Sequence, residues 1–164
     1  MSIEDPNGPH AGFYHGEDLN LFHPDPFRFH RQIDEFFHEA LERFDLLHFS
    51  GDGCMSFFPE NYPSDEPADI VRWKASGKKL AYTISGCNDG VSRDDVAMWS
   101  ALDGPVVCDR CIWNDRPDIC RPEKSHRWAR LLERHCDLIC TEGSPGLGAM
   151  ASTKAHREPL TMCL

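Results

Sequence analysis

The sequence predicts an α/β fold, in which a small parallel sheet is flanked by helices and preceded by an acidic, Phe-rich helical N-terminal extension. Three observations support this prediction. Strand and helix patterns alternate in the second half of the chain, as they do in proteins with parallel sheets. The 164 residues suffice for one domain with a hydrophobic core. All ten Phe lie between Phe13 and Phe58, whereas all four Trp lie between Trp73 and Trp128, which indicates two differently composed regions.

We therefore expect an N-terminal extension over residues 1–58, an α/β core over 59–150 and a tail over 151–164. The formal net charge is −10, and residues 1–70 hold 3 Lys/Arg against 15 Asp/Glu. Such an acidic region repels phosphates, so nucleic acid is not expected as a partner. No apolar run reaches the ~20 residues of a membrane-spanning helix, and the start of the chain does not resemble a signal peptide. We expect no membrane association and an intracellular protein, cytoplasmic or nuclear.

The extension is expected to contain one amphipathic helix over residues 26–49. Asp25 is a suitable N-cap, and Pro26 fits the first turn because its missing N–H would be unpaired there. Apolar side chains then recur at steps of three and four residues, the spacing of one helix face. They are Phe29, Ile33, Phe36, Phe37, Ala40, Leu41, Phe44 and Leu47. This stripe either packs on the core or binds a protein partner, and in the second case the helix over 26–49 is the partner site.

The core is expected to contain helices and strands in alternation. The stretch Lys-Leu-Ala-Tyr-Thr-Ile-Ser alternates as a strand does, Ser92 begins a capping box, and Trp128, Leu131 and Leu132 share one helix face. In order, the predicted elements are a helix over 70–76, a strand over 79–85, a helix over 92–104, a strand over 105–108, a helix from Pro122 and a strand over 137–141. Ligands of parallel sheets bind beyond the carboxyl ends of the strands.

Cysteine spacing suggests a metal site in the second half of the core. Cys108-x2-Cys111 lets two thiolates reach one ion across a tight turn, and zinc takes four such ligands in a tetrahedron. Cys120 and His126 complete the expected set, and Cys136 with Cys140 is the other way to complete it. A redox pair and ordinary buried thiols are alternative interpretations of the same residues. Zinc is thus the expected cofactor, with Cys108, Cys111, Cys120 and His126 as its ligands.

A different cysteine suggests a second kind of chemistry. Cys54 follows a Gly-rich turn, where a thiol is accessible, and His126 occurs later in the chain as a candidate base. A thiolate–imidazole pair of this type would be the nucleophile of a cysteine hydrolase. An ordinary loop thiol is the other interpretation of Cys54.

Residues 62–66, Tyr-Pro-Ser-Asp-Glu, precede a predicted helix, Gly77 and a strand. This arrangement resembles the opening of the LmbE-like (PIG-L type) zinc N-deacetylases, in which a His-Pro-Asp-Asp-Glu motif stands at the end of a strand. The resemblance spans about residues 60–145 and implies that Asp65, followed by Glu66, acts as base on a metal-bound water. Tyr62 and Ser64 replace the His and Asp that bind zinc in that family, so the metal ligands are degenerate.

The sequence therefore predicts an intracellular, zinc-stabilised interaction or regulatory protein. The alternative is a degenerate or divergent zinc-dependent N-deacetylase-like hydrolase that acts on a small amide, with Asp65 and Glu66 as catalytic residues. A cysteine hydrolase that uses Cys54 is the second alternative. Whether the protein is an enzyme stays open at this level.

Overall fold

The computed structural model of the protein describes residues 5–8, 19–50, 55–58, 66–84, 111, 122–142 and 155–158. The chain divides into two compact units, Met1–Phe44 and Asp45–Leu164. The first unit is shorter than the extension expected over residues 1–58, because the chain from Leu46 onward joins the sheet of the second unit.

Helix α1 (Pro26–Arg43) begins where the sequence predicts. The Asp25 carboxylate accepts hydrogen bonds from the backbone N–H groups of Phe27 (2.9 Å) and Arg28 (3.3 Å), which satisfies two of the free donors at the helix start. Its buried side chains, all members of the predicted apolar stripe, are Ile33, Phe37 and Ala40. The helix ends at Arg43 rather than at residue 49, since Phe44 adopts an extended conformation (φ −116°, ψ 144°).

Among the described residues, four parallel strands form one sheet in the order β1-β2-β3-β4, which confirms the α/β class. The strands are β1 (Leu46–Ser50), β2 (Lys79–Ile84), β3 (Leu138–Glu142) and β4 (Ala155–Glu158). β2 and β3 match predicted strands within one residue. β1 lies in the predicted helix over 26–49, and β4 lies in the predicted tail. The helix assignment was wrong over residues 46–49, where Leu47 continues the helical spacing, and β4 was not predicted because Ala-His-Arg-Glu shows no apolar alternation.

Two helices of the second unit confirm predicted ones. Helix α2 (Ala68–Ala75) ends before Gly77, whose φ of +75° lies in the left-handed region that favours glycine. Helix α3 (Pro122–His135) begins at the expected proline. The predicted helix over 92–104 and strand over 105–108 lie outside the described residues. Within the described ranges, no helix is both long and apolar enough to cross a bilayer.

One face of the sheet, here called the core face, packs against α2 and α3. Side chains on a strand alternate between faces, and register partners of parallel strands share a face. The core face carries Leu80, Tyr82 and Ile84 of β2 and Ile139 of β3, which form one buried cluster with Ile70, Trp128, Leu131, Leu132, Cys136 and Met55. Tyr82 and Trp128 meet edge to face, with ring centroids 5.6 Å apart. Because residues of both helices belong to this cluster, α2 and α3 lie on the same face of the sheet.

A buried carboxylate ties the segment 55–58 to the start of α2. Asp69 is only 4% exposed and accepts hydrogen bonds from Ser56 Oγ (3.0 Å to each carboxylate oxygen) and from the backbone N–H of Phe57 (2.7 Å). Its position in the first turn of α2 places the negative charge near the positive end of the helix dipole. The arrangement holds Met55 in the core cluster.

A second carboxylate joins β2 to the start of β3. The N–H of Leu80 donates to the Asp137 carboxylate (2.8 Å), and Lys74 and Lys79 form ion pairs with the same group. Partial burial raises the pKa of the Asp137 carboxyl. The hydrogen bonds from Lys74, Leu80 and Lys79, together with the Lys74 charge, outweigh this effect, so the pKa lies below its ordinary value.

Candidate functional site

The face of the sheet opposite the core face carries polar side chains near the carboxyl ends of the strands. We call it the His48 face and define it by His48 of β1, Thr83 of β2 and Cys140 of β3. Thr83 and Cys140 are register partners. They alternate with Tyr82 and Ile139, which are buried in the core cluster, so they belong to the opposite face.

A hydrogen bond links two strands on this face. His48 Nε2 and Thr83 Oγ1 lie 2.7 Å apart, and either group can donate, depending on the imidazole tautomer. His48 is exposed and Thr83 is half-buried, so the pair is accessible to a molecule on this side of the sheet. The distance is within the range at which an imidazole can exchange a proton with a hydroxyl group.

The strand register places further polar positions beside this pair. Ser50, Thr83, Cys140 and His156 form one row across the four strands, since each is the register partner of the next. Cys140 is half-buried and has a free thiol. The row lies at or near the last residue of β1, β2 and β3, which is the end at which parallel sheets bind ligands.

The amino half of the His48 face carries exposed apolar side chains together with the exposed Lys79, the register partner of Leu46. Leu46 of β1 is 54% exposed and Leu138 of β3 is 36% exposed, while Ala81 of β2 is buried. The His48 face therefore presents Leu46 and Leu138 beside a lysine at its amino half, and His48 and Thr83 farther along the strands. A surface of this type suits a molecule with a polar end directed toward His48.

The expected zinc ligands are only partly described. Cys111 is half-buried and His126 is exposed on α3, whereas Cys108 and Cys120 lie outside the described residues. Among the side chains that the structure describes, no three His, Cys, Asp or Glu are placed to hold one metal ion. The zinc site at these four residues stays a prediction.

Of the residues implied by the deacetylase resemblance, Asp65 lies outside the described residues and Glu66 within them. The Glu66 carboxylate forms an exposed ion pair with Arg134 in the last turn of α3 (2.5 Å). This contact joins the ends of two helices, which is a structural use of Glu66. Cys54, the expected nucleophile of the cysteine hydrolase, lies outside the described residues. Both catalytic hypotheses stay predictions.

The expected partner helix has three residues of its apolar stripe buried. Ile33 and Ala40 are fully buried and Phe37 is 2% exposed, so these side chains are not accessible to a partner. Phe27, at the start of α1, is 88% exposed. Phe44, at the other end, is 43% exposed, and partner binding by this helix stays a prediction.

His48 and Thr83 are not among the site residues that the sequence predicts. His48 was assigned to a helix, and its partnership with Thr83 depends on the pairing of strands that are far apart in the chain. The available signal is the alternation in Leu47-His48-Phe49-Ser50 after Asp45, which fits a half-buried strand. Comparison of the chain with protein-family models, with curated proteins and with solved structures finds no significant match.

Proposed function

We propose that the protein is a ligand-binding α/β protein whose His48 face holds a small polar molecule, with His48 as the group that bonds to it. The observation that carries this proposal is the exposed hydrogen bond between His48 Nε2, in the middle of β1, and Thr83 Oγ1, near the carboxyl end of β2. Loops and strand ends at that edge are where sheets of this class bind ligands.

The chemistry of the pair favours a ligand that both donates and accepts hydrogen bonds. A neutral imidazole has one donor and one acceptor nitrogen, and a hydroxyl group has both functions as well. A small amide offers a carbonyl acceptor and an N–H donor, and it is the substrate class that the resemblance to zinc N-deacetylases implies. The exposed Leu46 and Leu138 on the same face would contact its apolar part.

The test uses the imidazole resonances of the nine histidines in the ¹⁵N-labelled protein. Acetamide, acetate and inorganic phosphate are titrated separately to about 20 mM, above the ~1 mM Kd of a weak complex. We expect acetamide to shift the resonances that are lost in the His48→Ala variant, and Thr83→Val to reduce the shift.

His126 provides the matched control, because it is an exposed histidine on a helix of the same unit. Resonances assigned by His126→Ala should not respond to acetamide. If none of the three probes moves the His48 resonances, or if His126 responds equally, the proposed site is refuted.

A further inference from the structure

Strand β1 forms one edge of the sheet, here called the β1 edge. Within the part of the chain that the structure describes, β1 pairs with β2 alone. Leu46 at its start is 54% exposed, and His48 in its middle is exposed as well. Edge strands are commonly protected from other chains by a charged side chain or a proline. β1 (Leu-Leu-His-Phe-Ser) contains no Lys, Arg, Asp, Glu or Pro, so its edge can accept a further strand.

The backbone bonds to β2 decide which groups of β1 face outward. The N–H of Lys79 donates to the carbonyl of Asp45 (2.8 Å). Bonding residues alternate along a strand of a parallel pair, so Asp45, Leu47 and Phe49 direct their backbone polar groups toward β2. The intervening residues of β1 direct their N–H and C=O groups toward the open side of the sheet, and they are Leu46, His48 and Ser50.

We propose that β1 pairs with β1 of a second copy of the chain, in the antiparallel direction and with His48 at the centre. The two sheets then form one continuous sheet. Centring the pair on His48 is the register that includes all five residues of the strand. The inference goes beyond the proposed function and does not depend on it, because it uses the backbone of His48 and not the imidazole.

The partial charges of the two edges are complementary in this register. His48 lies opposite His48 of the second copy, and Leu46 lies opposite Ser50 of the second copy. Each of these pairs exchanges two N–H···O=C hydrogen bonds, because the backbone groups of these residues point outward. A row of alternating donors and acceptors is matched by another extended backbone, which identifies a β-strand as the occupant of the β1 edge.

The same register covers apolar side chains at the border of the core. Leu47 and Phe49 are half-buried and pack against the core cluster, and Phe49 meets the buried Phe57 edge to face at 5.9 Å. In the antiparallel pair, Leu47 lies opposite Phe49 of the second copy at a position without hydrogen bonds, where side chains are closest. The core face thus continues from one copy into the other, which favours a second copy over an unrelated peptide.

The size and charge of the contact indicate a weak dimer. A strand of five residues gives an interface below the ~1,200 Å² of standard complexes, so we expect a dissociation constant of about 0.1–1 mM. Each copy has a formal net charge of −10, so added salt should strengthen the association by screening the repulsion.

The test combines sedimentation velocity of the full chain, from about 10 μM to 1 mM, with amide hydrogen exchange at both ends of that range. We expect the sedimentation coefficient to rise with concentration. Exchange at the amides of Leu46 and His48 should slow at least about twofold at the higher concentration, because these donors become bonded only in the dimer. The amides of Leu47 and Phe49 bond to β2 in both states, so they are the internal reference and should not change.

Leu46→Pro removes an outward N–H and no bond to β2, so circular dichroism should show a folded chain. It should raise the dissociation constant at least about tenfold, because the dimer loses this donor from both copies. Leu46→Ala is the matched control, since it shortens the same side chain and keeps the N–H. Its dissociation constant should stay within about threefold of the unchanged protein.

Leu138→Ala tests the competing possibility that two copies associate through the His48 face, where Leu138 is exposed. This variant should dimerise as the unchanged protein does. Three outcomes would overturn the inference: a sedimentation coefficient that is constant up to about 1 mM, unchanged exchange at Leu46 and His48, or a dimer that Leu138→Ala dissociates. The exchange measurement uses the unchanged protein, so it decides the matter even if Leu46→Pro does not fold.

Discussion

Asp137 and Leu80 are joined by two hydrogen bonds of opposite direction, each 2.8 Å long. The N–H of Asp137 donates to the Leu80 carbonyl, and the N–H of Leu80 donates to the Asp137 carboxylate. Lys74 of α2 and Lys79 of β2 form ion pairs with that carboxylate. One side chain thus fixes the start of β3 against β2 and satisfies a backbone donor there.

Replacing Asp137 by Ala should reduce the free energy of unfolding by about 2 kcal/mol, because it leaves the Leu80 N–H without its acceptor and removes a charge shared by two lysines. Urea denaturation followed by circular dichroism measures the change. Asp45→Ala is the control, since the Asp45 side chain is fully exposed and its contact to Lys78 is 3.7 Å long. That change should leave the free energy of unfolding nearly unchanged, and equal losses in the two variants would contradict the assigned role of Asp137.

The same carboxylate should make stability depend on acid pH. Its pKa is lower in the folded chain than in the unfolded one, where it is about 3.9. The stabilisation is therefore present at neutral pH and is lost as the pH falls below about 4 through the folded-state pKa, since the unfolded chain binds the proton first. Unfolding free energies between about pH 2.5 and 7 should fall more steeply toward acid for the unchanged protein than for Asp137→Asn. Parallel curves would contradict this.

Asp69→Ala should destabilise the protein by about 2–3 kcal/mol, because a buried hydroxyl and the N–H of Phe57 lose their shared acceptor. Ser56→Ala should cost about 1 kcal/mol, since it removes one of the hydrogen-bond donors of the network. Thermal and urea denaturation measure both effects. Glu66→Gln serves as the control, because its ion pair with Arg134 is exposed and contributes at most about 1 kcal/mol. If Glu66→Gln reduced the free energy of unfolding as much as Asp69→Ala does, the buried carboxylate would not be the more stabilising of the two.

Neighbouring positions of β3 should respond very differently to truncation. Ile139 is 2% exposed in the core cluster, whereas Leu138 is 36% exposed on the His48 face. Ile139→Ala should cost about 2–5 kcal/mol through lost burial and a residual cavity. Leu138→Ala should cost less than about 1 kcal/mol, as judged by denaturant midpoints at equal m-values. Similar costs at the two positions would mean that the two faces are assigned incorrectly.

Local signals in the sequence were sufficient for the starts of α1 and α3 and for the end of α2. Asp25 and Pro26 identified the start of α1, and the spacing of Trp128, Leu131 and Leu132 identified the buried side of α3. These signals act within one or two turns, so tertiary contacts need not be known. Gly77 marked the end of α2 for the same reason, because a left-handed conformation is a property of one residue.

The candidate site depends on the pairing of strands that are distant in the chain, and local sequence patterns do not predict which strands pair. His48 contacts Thr83 only because β1 pairs with β2. β1 has only five residues, so its apolar alternation is a weaker signal than the helical spacing of the residues before it. The role of Asp137 was hidden for a related reason. Its partners Lys74, Lys79 and Leu80 lie 57 or more positions earlier in the chain.

The separation along the chain between paired strands also sets the entropic cost of forming each strand pair. Register partners are 33 positions apart between β1 and β2 (46 and 79), 57 between β2 and β3 (81 and 138), and 16 between β3 and β4 (139 and 155). Closing the middle junction therefore costs about 1 kcal/mol more than closing the last one. Asp137 directly precedes β3 and bonds to Leu80 of β2. Its ion pairs therefore stabilise the pairing of β2 with β3, which has the largest loop-closure cost among the described strand pairs.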